Sequence, residues 1–148
     1  MGLSNDYLNH YSEVLMLIEM SASDAEMACD LARWRPMDYR AYFRASPLRR
    51  AESALRAYDA LPAAHRETFE ALTATMDGLA RTAILALQPP CEPGEAALIA
   101  DVILPPFRRL FARAASFLNS GGLDLKREGE VEAQAVIDRL IERAGAAG

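Results

Sequence analysis

Three features of the sequence predict an all-α fold. Apolar residues recur at steps of three and four almost throughout, no stretch alternates apolar and polar for the length of a strand, and prolines and glycines punctuate the periodic segments. The expected architecture is a helical bundle of four main helices, with short connecting helices and a C-terminal amphipathic helix. At 148 residues the chain suits one domain that buries a core without disulfides or metal. Residues 1–122 are expected to form the bundle, and 123–148 a linker and a last helix.

Tyr7, Leu8, Tyr11, Val14, Leu15 and Ile18 share one face of a first helix over about 5–20, with Ser4 or Asn5 as its cap. Ser23 is placed to cap a short second helix, which must end near Trp34 because Pro36 disfavours helical geometry in the residue before it. Residues 38–45 suit one or two turns. "SPLRR" restarts a helix, with Ser46 as cap and Pro47 at the first helical position, followed by Leu48, Ala51, Leu55 and Tyr58. The longest helix is predicted from Pro62 to about Leu87, with Phe69, Leu72, Met76, Leu79, Ala83 and Leu87 as its buried seam. "QPPCEPG" cannot be helical throughout. From Gly94 the pattern resumes through Leu98, Ile99, Val102 and Ile103, meets Pro105 and Pro106, where a kink or break is expected, and continues to Leu118. "NSGG" at 119–122 ends it. "LDLKREGE" is polar and reads as a linker before a final amphipathic helix over about 131–144.

Charge is segmented. The net charge is −5, yet residues 1–32 carry six acids and no base, whereas residues 33–56 carry seven arginines against Asp38 and Glu52. Fifteen of the sixteen basic residues are Arg, a bias that with the many alanines points to a GC-rich bacterial source. The acidic balance argues against nucleic acid as a partner. The N-terminal stretch carries no export signal and the sequence no membrane span, and Cys29 and Cys91 lack metal-ligand spacing, so a reducing cytoplasm is the expected location.

No catalytic motif is present. The histidines, His10 and His65, stand in no nucleophile-and-base or metal-binding pattern; there is no phosphate-cradling loop or dinucleotide fingerprint, and no cofactor is implied. His10 precedes Glu13, the reverse of a Glu-x-x-His metal pair, and is expected on the exposed side of its helix. "DLARWRPMDYRAYFRASPLRR", residues 30–50, admits two readings. Trp34, Tyr39, Tyr42 and Phe43 can plug one end of the bundle while the arginines pair with the acidic first 32 residues. Alternatively, if this stretch faces "RRLFAR" at 108–113, then Arg40, Arg44, Arg108 and Arg109, with Trp34 and Tyr39, can clamp a small anion or an acidic partner.

The C-terminal segment "QAVIDRLI", Gln134 to Ile141, resembles the Gln-x-x-Ile-Asp-x-Leu-Leu peptide by which flagellar motor switch proteins bind the chemotaxis response regulator, and the terminal peptide of the regulator's phosphatase. The resemblance implies docking in a groove of a receiver domain through Ile137, Asp138, Leu140 and Ile141. No Asp with a helical Gln is placed to orient a hydrolytic water, so phosphatase activity is not implied. The same helix can instead fold back to complete the bundle. The sequence thus reads as a non-catalytic bacterial interaction or regulatory protein whose partner is a protein, with a receiver domain as the candidate the resemblance implies; the alternative is a bundle that binds or acts on a small anionic ligand. Exposed apolar seams can also pair across a homodimer.

Overall fold

The computed structural model describes residues 2–147. After a 3-10 turn (Asn5–Leu8) come seven helices: α1 (Asn9–Ser21), α2 (Met27–Arg33), α3 (Tyr39–Arg44), α4 (Arg50–Asp59), α5 (Ala63–Ala86), α6 (Pro93–Asn119) and α7 (Glu130–Ala147), with no strand among the described residues. The fold is all-α, as the periodicity predicts.

The long helices α5 and α6 form an antiparallel pair. Phe69 near the start of α5 stacks on Phe117 near the end of α6, with centroids 4.7 Å apart, and His65 Nδ1 lies 2.8 Å from the Gly122 carbonyl. The predicted α5 seam is buried at every position, from Phe69 to Leu87. Helix α1 packs on α6 and on the Asp77 side of α5, α2 folds back against α1, and α3 with α4 closes the end of the bundle near Phe69. Helix α7 lies along α5 and α6.

The helix boundaries follow local chemistry, with some departures from expectation. Ser4 accepts the Asp6 N–H as an N-cap, but the first turn it caps is 3-10. Ser23 does not cap α2; the Asp24 side chain instead accepts from Glu26 N, and α2 starts at Met27. Ser46 accepts from Leu48 N, yet the α4 helix begins only at Arg50, past Pro47. The pair Pro105–Pro106 does not break α6, which is one helix from Pro93 to Asn119. The two prolines leave the carbonyls of Asp101 and Val102 without their i+4 donors, but both of those residues are exposed, so water can satisfy them. Buried Ile103, Leu104, Phe107 and Leu110 anchor the helix on either side.

The end of α6 depends on glycine. Gly122 N–H bonds to Phe117 O and Gly121 N–H to Leu118 O, the double closure that requires a left-handed residue, and Gly121 has φ +69°. Gly122 has φ +82°, and a Cβ there would stand 2.7 Å from Leu61 Cδ2.

Candidate functional site

Two places in the fold hold the residues that chemistry or resemblance singles out: the aromatic end, where residues 34–45 meet α1 and α5, and the α7 flank.

At the aromatic end the rings form a continuous cluster. Tyr39 stacks on Tyr58 at 4.5 Å, Tyr7 meets Tyr11, Tyr39 and Tyr42 edge-on, and Phe69 touches Tyr7, Tyr39 and Tyr58. Trp34 is buried. Its indole N–H donates to the His10 carbonyl, and its ring stacks on the His10 imidazole at 4.6 Å. His10 is therefore half-buried rather than exposed, with Nε2 2.7 Å from the Arg35 carbonyl, and burial pulls its pKa below the usual histidine value. Tyr39 is also buried; its hydroxyl donates to Ala54 O and accepts from Ser4 N. These two aromatic rings hold the bundle end together.

The arginines are distributed among separate partners. Arg40 pairs with Asp59 at 2.9 Å, with its guanidinium over the Tyr58 ring at 5.0 Å, and Tyr58 donates to Glu70. Beside them lies a cleft of about 70 Å³ lined by Asp38, Tyr39, Arg40, Tyr58 and Glu70. Arg108 pairs with Glu19 of α1, Arg109 with Glu132 of α7, and Arg44 is exposed with no ion pair among the described residues. Pairing with the acidic N-terminal 32 residues holds for Arg50 with Asp6 and Arg33 with Asp30, whereas Arg35 donates to the carbonyls of Ala32 and Trp34.

Sequence reasoning did not single out Asp77. This carboxylate lies between α5 and α1, where the Tyr11 hydroxyl donates to Oδ1 at 2.7 Å. The Tyr11 and Tyr7 hydroxyls are 3.2 Å apart, and Tyr7 donates to the Met37 carbonyl at 2.7 Å. Burial pushes the Asp77 carboxyl up to about 6; Tyr11 and Arg81 pull it down, and Asp38 pushes it further up. Burial likewise raises both tyrosine hydroxyls, so they stay protonated. The available signal was a lone acid, Asp77, directly after the seam residue Met76.

On the α7 flank, Ala133, Val136 and Ile137 are buried, Leu140 is half-buried, and Asp138 and Ile141 face solvent. Gly78 of α5 is where Ile137 sits: a Cβ at Gly78 would lie 3.0 Å from Ile137 Cδ1. Asp138 accepts a hydrogen bond from Gln134 one turn earlier.

No protein-family profile, curated protein or solved structure matches the chain. The described residues contain no cluster of three or more His, Cys, Asp or Glu suited to a metal ion, and no described helix is long and apolar enough to cross a membrane.

Proposed function

We propose that this is a non-catalytic interaction protein of the bacterial cytoplasm that docks on a signalling receiver domain through α7. The observation that carries the reading is the division of that helix. Its inner face rests on the bundle through Ala133, Val136 and Ile137, while Val131 and Ile141 keep 87% and 56% of their surface in water beside the exposed Asp138. Large apolar side chains left exposed on an amphipathic helix suit a partner groove. Arg40, Arg108 and Arg109 are each matched by a carboxylate, which favours protein binding over an anion clamp.

The test is calorimetric titration of the full chain against purified receiver domains, with and without beryllofluoride as the phosphoryl mimic. Ile141→Asp and Asp138→Arg are expected to weaken binding at least about tenfold while shifting folding stability by no more than about 0.5 kcal/mol, since both sites are exposed. A synthetic peptide of residues 130–147 is expected to bind more weakly than the full chain, because the bundle holds α7 helical with Val131, Asp138 and Ile141 already presented, whereas the free peptide must form its helix on binding. Absence of binding, or binding indifferent to both substitutions, overturns the reading.

A further inference from the structure

The line Asp77, Tyr11, Tyr7, Met37 contains three close polar gaps, and the number of protons available to fill them depends on Asp77. A carbonyl oxygen only accepts, so the Tyr7 proton is committed to Met37 O at 2.7 Å. An ionised carboxylate also only accepts, so the Tyr11 proton is committed to Asp77 Oδ1 at 2.7 Å. The two hydroxyl oxygens, 3.2 Å apart on buried tyrosines, then face each other with no proton between them. One proton on Asp77 Oδ1 changes the pattern. Asp77 donates to Tyr11, Tyr11 to Tyr7 and Tyr7 to Met37, and each gap holds one proton.

We propose that Asp77 is a pH-responsive latch: its protonated form completes a one-directional hydrogen-bond relay from α5 through Tyr11 of α1 and Tyr7 of the 3-10 turn to the Met37 carbonyl, fastening that turn and residues 35–38 together to α1 and α5, and its ionised form opens the relay between the two tyrosines while Tyr7 stays bonded to Met37. The segment it fastens leads into α3, whose N-cap is Asp38, accepting from Ala41 N at 2.7 Å.

The groups facing Asp77 set the direction. On α5 itself Arg81 favours the ionised form; from the segment before α3, Asp38 disfavours it; and from α1, Tyr11 supplies the hydrogen bond. The α6 residue packed on Tyr11 is the uncharged Phe107. Burial outweighs the stabilising contacts, and the carboxyl stands near 6 against an ordinary value of 3.8. Because the folded value is the higher one, the stabilisation is complete below about 4, declines as the pH rises through about 6, and is absent above.

The experiment is a carboxyl-carbon and amide NMR titration of the full chain from pH 4 to 8. An Asp77 midpoint near 6, with the Met37 and Asp38 amides moving on the same midpoint, is the expected result. His10 bonds to the Arg35 carbonyl and burial lowers its pKa from the usual histidine value, so the titration is repeated in His10→Gln, where the Asp77-linked change must persist. In parallel, Asp77→Asn supplies an N–H donor at every pH. The gap in denaturation midpoint between this variant and the parent chain is expected to widen from pH 4.5 to 7. An Asp77 midpoint below 5, or Met37 and Asp38 amides that ignore it, overturns the proposal. The parent-chain titration decides even if the Asn variant does not fold.

Discussion

Asp77 and Gly78 are consecutive residues of α5 that serve opposite kinds of interface. On the Asp77 side, α1 is joined by a directional hydrogen bond at 2.7 Å and a second hydroxyl behind it, set among interlocked aromatic rings. On the Gly78 side, α7 lies against the helix with no side-chain hydrogen bond to α5 among the described residues, held by Ala133, Val136 and Ile137 and by the ion pair from Arg109 of α6 to Glu132. The first interface specifies one arrangement, because sliding α1 would leave buried polar groups unpaired. The second is apolar and non-directional, so α7 is held on α5 by packing alone and its release from that helix would break no buried hydrogen bond among the described residues.

The largest expected effect tests the rigid side. Phe69 is buried at the junction of Tyr7, Tyr39, Tyr58 and Phe117, so Phe69→Ala removes a ring from the centre of the aromatic cluster. A loss of about 3–5 kcal/mol is expected by chemical denaturation, with secondary structure and unfolding of the whole bundle affected together. A loss under about 1 kcal/mol would mean that the cluster repacks and is not the rigid side of the comparison.

The second tests the soft side. Ile137→Asp places a carboxylate against Gly78, and about 2–4 kcal/mol of α7 docking is expected to be lost. The readout is limited trypsinolysis at Lys126 and Arg127, in the linker ahead of α7, which should accelerate well below the global transition. Cleavage that accelerates only with global unfolding would show α7 to be part of the cooperative core.

The same division explains what could be read from the sequence. The seam of α5 was legible because burial there is periodic, and each of its apolar positions faces inward. The aromatic content of residues 34–43 allowed a plug as one of two readings, and the burial of Trp34, Tyr39 and Phe43 matches it. The Asp77 relay was not legible: Tyr11 lies 66 residues away and Met37 O is a backbone atom, so no spacing encodes the contact. The arginine partners were legible only in sign. Arg50 found Asp6 in the acidic N-terminal region, but Arg40 found Asp59, because α3 packs on α4 and brings that carboxylate closer. The intact α6 shows a further limit. A proline pair removes two donors and crowds the preceding turn, and here the freed carbonyls belong to exposed residues while buried residues on either side hold the helix, which is a property of the fold.

The smallest effect sharpens the comparison most. Arg109 and Glu132 form the only side-chain ion pair between α6 and α7 among the described residues, and their side chains are 53% and 52% exposed. A pair so open to solvent contributes at most about 1 kcal/mol, and salt screens it. Arg109→Ala should therefore leave linker trypsinolysis within about twofold of the parent rate, and 1 M sodium chloride on the parent chain should do the same. If either treatment releases α7 as fully as Ile137→Asp does, the helix is held by charge and not by its apolar face. Ionic strength would then govern the release of α7, and Arg109 rather than Ile137 would be its main anchor.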